Sequence, residues 1–381
     1  MKARVAIITE IIAPYRIPVF NALARREDVD PHVMFLSETD PALREWEIRK
    51  EEIQFSYQVL PSFRRRVGDF NLLVNYGISK ALRKAAPDVL LCGGYSYVAS
   101  WQAAGWARRR FVPVLLWVES TERDQRRGYA GVEHLKRRFI QLSDGFVVPG
   151  RSSAAYVRSF GVADELIFHA PNAVDNDFFS ARAMRESART PQDGLPRKFF
   201  LYVGRLIKEK GLFDLLEAYG RLPGELRDEF GLVIAGGGGC RPELELLASR
   251  IADGRVVFTG FLQKEQLAAL YGKAYAMVFP THSDTWGLVV NEALASGLPV
   301  VVADVAGCSA DLVEDGWNGR LVPSQSVEQL IQAMASLARD ERLRNKMSVN
   351  AREKIRHYSP EACAEGIARA ACAAANRQVH V

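Results

Sequence analysis

The sequence predicts an α/β protein of two domains, each built on a parallel sheet that helices cover on both faces. Three observations support this prediction. Short apolar runs alternate with amphipathic stretches along the first half of the chain, which is the pattern of a parallel sheet. A polar stretch over 180–198 interrupts that alternation, and a second series begins at Phe199. The length of 381 residues is sufficient for two cores.

The elements follow from the apolar pattern. In the first series, strands are predicted over 4–10, 30–37, 88–94, 112–120, 144–150 and 165–172. Helices are predicted over 17–27, 70–86, 95–110, 134–143 and 152–161. Beyond Pro323 the pattern is helical only. We therefore predict an N-terminal domain over 1–176, a linker over 177–198 and a C-terminal domain over 199–359.

Composition excludes several classes of protein. Hydrophobic residues make up 48% of the chain and charged residues 25%, as in globular proteins. No apolar run reaches the roughly 18 residues that span a bilayer, and MKARVAIITE is a strand pattern rather than a signal peptide. We therefore expect a cytoplasmic protein. The five cysteines include no Cys-x2-Cys pair, so neither a disulfide framework nor a zinc site is indicated.

The most informative segment is PTHSDTWGLVVNEALASGLPVVVAD, residues 280–304. Asp284 precedes a predicted helix and Glu292 lies about one turn inside it, so two carboxylates flank the helix start. A helix start offers free N–H groups to a phosphate, here those of Gly287, Leu288 and Val289. The segment indicates a nucleotide-sugar site. Two solvated or capping carboxylates would produce the same spacing.

A second segment, FFLYVGRLIKEKGLFDLLEAYGRL over 199–222, predicts a phosphate-facing turn between a strand and a helix. Gly204 permits a sharp turn, Arg205 offers a planar fork of donors, and Lys210 adds a point charge. These groups suit a diphosphate. The alternative is a solvated basic loop in which Arg205 pairs with a local carboxylate such as Glu209.

Both segments resemble the signature of glycosyltransferase family 4. Asp284-x7-Glu292 resembles the family's Glu-x7-Glu motif, with aspartate at the first position, and the residues from Gly204 to Gly211 match its G-R-x4-K-G pattern. The resemblance implies that Asp284 contacts the transferred sugar and that Glu292 binds the ribose hydroxyls. It further implies that Arg205 and Lys210 bind the pyrophosphate and stabilise the leaving nucleoside diphosphate.

The resemblance also implies the GT-B architecture, in which two Rossmann-like domains face an interdomain cleft. The terminal helix, 360–381, would cross back to the first domain, which binds the acceptor. Phe261 and Leu262 hold the family's position for packing against the nucleobase, although an ordinary core role would also explain them. Sugar transfer would retain the anomeric configuration, and we expect neither a cofactor nor a catalytic metal.

Candidate acceptor residues lie in the N-terminal domain. Tyr15 and Arg16 stand where the family often has a Gly-rich loop, and they could contact a phosphate or sugar hydroxyl, or the prolines beside them could only frame a helix start. Glu119 and Ser120 stand where many members carry a histidine. Glu119 could bind the donor sugar or accept the acceptor proton. Its alternative role is to pair with a nearby arginine, namely Arg123, Arg126 or Arg127.

Tyr95 is a further acceptor candidate, since it lies in CGGYSYVASW at a predicted strand exit and an aromatic face suits a sugar ring. Its spacing from Tyr97 and Trp101 is also typical of helix packing.

The charge of the N-terminal domain supports a second hypothesis. Residues 60–140 hold fifteen Lys or Arg against six acids, which favours docking on an anionic inner leaflet or a lipid-pyrophosphate acceptor. Solvated helix faces are the alternative, and no nucleic-acid module accompanies the charge.

The sequence therefore predicts a retaining glycosyltransferase that moves a sugar from a nucleoside-diphosphate donor to a glycan or lipid-linked acceptor. The expected setting is cell-surface polysaccharide or glycolipid synthesis, in the cytoplasm or at the inner face of the membrane. Two alternatives are retained. One is a sugar-nucleotide 2-epimerase of the same architecture, and the other is a catalytically silent subunit that binds nucleotide sugars.

Overall fold

The computed structural model describes residues 2–40, 45–67, 70–122, 130–187, 194–251 and 254–378. The chain divides into two compact units. Unit 1 comprises Met1–Ala173 and Pro360–Val381, and unit 2 comprises Val174–Ser359. Each unit contains its own parallel sheet, as the alternating pattern predicts.

The strands of unit 1 are β1 (Ala3–Thr9), β2 (Val29–Phe35), β3 (Ser56–Val59), β4 (Ser62–Val67), β5 (Phe70–Asn75), β6 (Val89–Cys92), β7 (Val114–Trp117), β8 (Gly145–Val148) and β9 (Ile167–His169). Seven of them form a parallel sheet in the order β3-β2-β1-β6-β7-β8-β9, while β4 and β5 form a separate antiparallel hairpin. Helices cover both faces, so β6 and β7 are apolar and buried at every position.

The helices of unit 1 are α1 (Ile17–Ala24), α2 (Ile78–Ala85), α3 (Val98–Arg108), α4 (Ala130–Leu142), α5 (Arg151–Arg158) and the last helix of the chain, α15 (Pro360–Gln378). The last helix packs in the core of this unit, where Cys363 and Ile367 join Phe20 and Trp117 in one apolar cluster. Gly366 permits this, because a Cβ there would collide with the carbonyl oxygen of His169.

The predicted helix over 70–86 is wrong in its first half. Residues 70–75 form β5, and α2 begins only at Ile78, after Gly77 in the left-handed region at φ 78°. The segment FNLLVN alternates with period two: Leu73 is 3% exposed and its neighbour Leu72 is 47% exposed. The edge strand β3 is absent from the prediction, because its residues do not form an apolar run.

Unit 2 contains β10 (Lys198–Val203), β11 (Phe230–Ala235), β12 (Val256–Gly260), β13 (Ala276–Phe279), β14 (Val300–Ala303) and β15 (Gly319–Val322). All are parallel, in the order β12-β11-β10-β13-β14-β15. Its helices are α6 (Asn176–Ser187), α7 (Leu212–Gly220), α8 (Gly224–Glu229), α9 (Arg241–Ile251), α10 (Lys264–Lys273), α11 (Leu288–Ala295), α12 (Ser309–Leu312), α13 (Val327–Arg339) and α14 (Glu341–Ile355).

Helix α6 begins at Asn176 and occupies the first half of the segment 177–198, which the sequence predicts as a linker. It packs against α10, with the Lys264 ammonium 4.1 Å from the ring centre of Phe178 and the ring of Phe179 6.1 Å from that of Tyr271. Gly272 lets the backbone of Ala183 approach α10 closely. The polar composition of the segment conceals these apolar contacts, so this part of the predicted linker is a helix of unit 2.

Candidate functional site

In unit 2, the chain reverses its direction of winding between β10 and β13, which are neighbours in the sheet but not in sequence. Ligands of open parallel sheets bind at the carboxyl ends of strands beside such a switch point. Register pairs Phe200 with Ala276 and Leu201 with Met277, so the loops that follow the two strands leave the sheet side by side. We call residues 204–211 the cation loop and residues 280–284 the acid loop.

The two loops meet in an ion pair. The ammonium of Lys210 donates to Asp284 Oδ2 at 2.6 Å and to the carbonyl oxygen of Ser283 at 2.9 Å. Lys210 is only 7% exposed, and the other carboxylate oxygen of Asp284 accepts from the N–H of Trp286 at 3.1 Å. The sequence identifies Lys210 and Asp284 separately, and the structure brings them together. The pair holds a cation and a carboxylate in a fixed position at the switch point.

A second set of bonds ties the loops together through one carbonyl group. The oxygen of Glu209 accepts from the hydroxyl of Thr281 at 3.1 Å and from the N–H groups of His282 and Ser283 at 2.9 and 3.3 Å. His282 Nε2 also lies 2.7 Å from Asp214 Oδ2. Thr281, His282 and Asp214 are not among the residues that the sequence predicts for the site, although they lie beside the recognised motifs.

Glycines permit the close approach of these loops. Gly211 adopts φ 68°, and a Cβ there would collide with the carbonyl oxygen of Pro280. Gly204 donates to Ala235 O at 3.0 Å and packs against Gly236, where a Cβ would meet the Gly204 carbonyl. Substitution of Gly211 would therefore separate the two loops, and substitution of Gly236 would displace the start of the cation loop from the end of β11.

Arg205 is exposed and forms no ion pair with any residue that the structure describes. The alternative pairing of Arg205 with Glu209 is not observed. The guanidinium is therefore available to an anion at the same strand exit as Gly204. The cation loop thus holds one buried cation, Lys210, and two exposed cations, Arg205 and Lys208.

Helix α11 begins beside the acid loop. Gly287 caps it in the left-handed region at φ 97°, where a Cβ would lie 2.9 Å from the ring of Phe279. Among the described residues, the N–H groups of Leu288 and Val289 have no acceptor. They are the free donors that the sequence predicts at this helix start. Trp286 is 3% exposed and bonds Asn291, so it belongs to the core.

Glu292 lies in the second turn of α11 and accepts a hydrogen bond from the hydroxyl of Tyr271 at 2.8 Å. Tyr271 is 1% exposed and was not predicted as a site residue. Burial raises the pKa of the Glu292 carboxyl to about 7, against the opposing effects of the Tyr271 hydroxyl and the charge of Lys264. Glu292 therefore changes charge near neutral pH.

Phe261 and Leu262 follow β12, two strands from the switch point. Phe261 is 40% exposed, which leaves its ring available to a planar ligand. Leu262 is partly buried and packs against the core of unit 2. The two predicted nucleobase contacts thus differ in surroundings: one ring is accessible, and one side chain belongs mainly to the core.

In unit 1, Glu119 pairs with a distant arginine. Arg16 Nη2 donates to Glu119 Oε1 at 2.7 Å, and the guanidinium carbon lies 4.2 Å from the ring centre of Trp117. The local candidates Arg123, Arg126 and Arg127 lie outside the described residues. Arg16 and Glu119 follow β1 and β7, so the structure joins two acceptor candidates that the sequence treats separately.

The remaining acceptor candidates differ in their contacts. Tyr15 stacks edge-on with Trp46, the ring centres 6.0 Å apart, and Ser120 is partly exposed beside Glu119. The carbonyl of Tyr95 accepts from the indole N–H of Trp101 at 2.9 Å, and the ring of Trp101 lies 4.8 Å from that of Phe139. The aromatic cluster at Tyr95 therefore contributes to packing around α3.

Two family descriptions match the chain, each over most of one unit. Residues 20–178 match the family described as Glycosyltransferase Family 4, and residues 185–354 match the one described as Glycosyl transferases group 1. Together the two matches leave only the ends and a short connecting stretch unmatched.

Individual relatives carry transferase names. The alpha-D-kanosaminyltransferase of Streptomyces kanamyceticus is 36% identical over 157 residues, 41% of this chain and 40% of the relative. A D-inositol 3-phosphate glycosyltransferase of Xylanimonas cellulosilytica is 32% identical over 232 residues, 58% of this chain and 54% of the relative. A GDP-mannose-dependent alpha-mannosyltransferase of Corynebacterium glutamicum is 28% identical over 292 residues, 75% and 67% of the two chains. The match thus spans 40% and 54% of the first two relatives.

Solved structures match over nearly the whole length. Anabaena Alr3699/HepE in complex with UDP has a TM-score of 0.76 at 17% identity, covering 97% of this chain and 99% of that one. The lipopolysaccharide outer core galactosyltransferase WaaB has a TM-score of 0.71 at 15% identity, with coverage of 97% and 99%. At these identities the likeness establishes the fold.

Proposed function

Because the chain belongs to glycosyltransferase family 4 and has the GT-B fold, we propose that it transfers a sugar from a nucleoside-diphosphate donor to a glycan or lipid-linked acceptor, with retention at the anomeric carbon. The observation that carries this proposal is the meeting of the cation loop, the acid loop and the start of α11 at one switch point. The proposed setting is the synthesis of a cell-surface polysaccharide or glycolipid.

The donor pyrophosphate needs cations and N–H donors, and unit 2 supplies both. Arg205 is accessible for direct contact, and the N–H groups of Leu288 and Val289 point out of the α11 N-terminus. Lys210 adds positive charge from a position fixed by Asp284. As the bond between the anomeric carbon and the phosphate oxygen breaks, its electron pair moves to the phosphate. The fixed charges stabilise that developing negative charge.

The remaining roles concern hydroxyl groups. Glu292 is held by Tyr271 and in its ionised form accepts hydrogen bonds from the ribose. Asp284 keeps lone pairs free beyond its bonds to Lys210 and Trp286, so it can also accept from a sugar hydroxyl. The acceptor oxygen forms the new bond on the face that the phosphate leaves, and its proton passes to the departing phosphate. Arg16 and Glu119 then serve to position the acceptor rather than to remove its proton.

Donor binding provides the first test. A ligand at a hundred times its dissociation constant stabilises a protein by roughly 2.7 kcal/mol, which raises the melting temperature of a domain of this size by about 5–10 °C. The panel begins with UDP-glucose and GDP-mannose, the nucleotides named for similar proteins. We expect one nucleotide to shift the wild type and to have no effect on Glu292→Ala.

The matched control for that variant is Glu243→Ala, because Glu243 is an exposed carboxylate on α9 of the same unit. It should retain the full shift. A wild type that no nucleotide sugar stabilises would contradict the proposed function. Analysis of the donor after incubation without acceptor separates transfer from the alternative 2-epimerase reaction, which would convert the donor sugar by itself. A donor that binds but is never turned over would favour the silent subunit.

We propose that the charge stabilisation needs no metal, since Arg205, Lys210 and the α11 N-terminus supply it. Release of nucleoside diphosphate from the identified donor should then change by less than about twofold when EDTA is added. Loss of turnover with EDTA that excess Mg²⁺ restores would overturn this proposal. The thermal shift of the donor, measured in the same solutions, reports whether EDTA affects binding or chemistry.

A further inference from the structure

The β4–β5 hairpin of unit 1 belongs to neither parallel sheet. The chain leaves β3 at the carboxyl end of the strand, forms the hairpin and re-enters the fold at α2. The hairpin therefore begins at the same edge of the sheet as Arg16 and Glu119, which follow β1 and β7. This is the edge at which open parallel sheets bind ligands.

One face of the hairpin fixes it to unit 1. Leu73 is 3% exposed in the core, and the side-chain amide of Asn75 donates to the carbonyl oxygen of Leu36 at 2.6 Å. Arg64 forms an ion pair with Asp40, and its guanidinium lies 3.8 Å from Glu10, the residue after β1. The inner face is thus held by apolar, hydrogen-bonded and charged contacts.

The opposite face is apolar and uncovered. Antiparallel register places Phe63 opposite Val74 and Arg65 opposite Leu72, and we call these four residues the outer face. Phe63 is 53% exposed, Leu72 is 47% exposed, and Arg65 is exposed between them. Tyr76, directly after the hairpin, is 59% exposed. Two large apolar side chains beside an arginine and a tyrosine form the kind of surface that enters the boundary between lipid headgroups and acyl chains.

The charge of the hairpin and of α2 indicates what kind of surface the outer face binds. Residues 62–85, the hairpin and α2, contain six Lys or Arg and one acid. Arg64 is paired with Asp40, which leaves five basic residues against one acid in this short segment. Lys80, Arg83 and Lys84 on α2 are all exposed. Anionic lipids attract such a segment by about 1 kcal/mol for each basic residue near the surface. A water-soluble glycan would need neither the exposed apolar side chains nor this charge.

We propose that the outer face of the β4–β5 hairpin docks unit 1 on an anionic membrane surface. Docking there brings the edge of the sheet that carries Arg16 and Glu119 to the layer of lipid headgroups. The acceptor is then a lipid-linked sugar or phosphate whose polar end reaches these two residues. The identity of the acceptor rests on the proposed transferase function, whereas the docking does not. No helix among the described residues is long and apolar enough to cross a membrane.

Vesicle sedimentation tests the docking. The full chain should bind vesicles of phosphatidylglycerol and phosphatidylcholine in equal parts, and it should bind phosphatidylcholine alone at least about tenfold more weakly. The double variant Phe63→Ser, Leu72→Ser should lose about tenfold or more in affinity for the anionic vesicles, because both side chains leave water on binding. Arg65→Glu tests the same face through charge alone and should weaken binding in a salt-dependent way.

The matched control is Phe111→Ser, Leu246→Ser. Its two side chains are 83% and 56% exposed and lie outside the hairpin, in the α3–β7 connection and on α9. It should bind vesicles within about twofold of the wild type. Equal loss in the control and hairpin variants, or no binding by the wild type, would overturn the docking. Donor thermal shifts in the same preparations show whether the variants are folded and report separately on the proposed function.

Discussion

Replacement of Lys210 with alanine is expected to lower the rate of nucleoside-diphosphate release from the donor by about a hundredfold to a thousandfold, the range found when one fixed electrostatic group is removed. Lys210 is buried and held by Asp284 and the Ser283 carbonyl, so its charge is fixed before the donor binds. The measurement is the initial rate of nucleotide release at saturating donor. The substitution should lower kcat more than it raises KM, because the leaving group gains charge in the transition state.

Lys208→Ala is the matched control, since Lys208 is exposed and lies two residues earlier in the same loop. Its rate should stay within about threefold of the wild type, as expected for a screened surface charge. Asp284→Asn and the double variant complete a cycle that measures the coupling between the two members of the pair. Equal rates for Lys210→Ala and Lys208→Ala would contradict the role of Lys210.

Donor affinity is expected to depend on pH through Glu292. Burial raises the pKa of this carboxyl to about 7, so it is mainly protonated at pH 6 and mainly ionised at pH 8. The ionised form is the better acceptor for ribose hydroxyls, so binding should strengthen by up to about tenfold from pH 6 to pH 8. Calorimetric titration of the nucleotide sugar measures it. In Glu292→Gln the affinity should be lower at pH 8 and nearly independent of pH.

The same group makes an independent prediction for stability. A carboxyl whose pKa is higher in the folded state than in the unfolded state destabilises the fold as pH rises between the two values, here from 4.5 to about 7. Glu292→Gln removes that loss, so the variant should exceed the wild type in unfolding free energy at pH 8 by on the order of 3 kcal/mol. At pH 4 the two should be similar. A variant that is no more stable at pH 8 would show that ionisation of Glu292 does not lower the free energy of unfolding.

Sequence patterns predicted the elements well where a strand is buried on both faces. A continuous apolar run such as that of β7 is too short for a typical helix, so its length favours a buried strand. The strands of the β4–β5 hairpin were not predicted, because two exposed apolar residues and three arginines mask the period of two. Helix α6 was not predicted for a related reason: the apolar residues that pack against α10, Phe178, Phe179 and Ala183, are interspersed with charged and polar residues.

The chemistry of the site was predicted residue by residue, but its contacts were not. Sequence reasoning offered local partners: Glu209 for Arg205, and nearby arginines for Glu119. The structure instead joins Lys210 to Asp284 and Arg16 to Glu119, across 74 and 103 positions in the chain. A parallel sheet brings together strands that are distant in sequence, so such pairs follow from strand order rather than from spacing. Tyr271, the partner of Glu292, was missed because it lies on another helix, α10, and reaches Glu292 across 21 positions in the chain.

The three hydrogen bonds to the Glu209 carbonyl bear on the engineering of donor choice. Because these bonds fix the cation loop to the acid loop, the two loops should be replaced together in a chimera, although 68 residues separate them in the chain. A chimera that imports residues 280–284 from a relative but keeps residues 204–214 would pair a foreign backbone with Glu209, Gly211 and Asp214. Such a graft should move Asp284 out of hydrogen-bonding distance of Lys210. Grafting both segments together should preserve the ion pair.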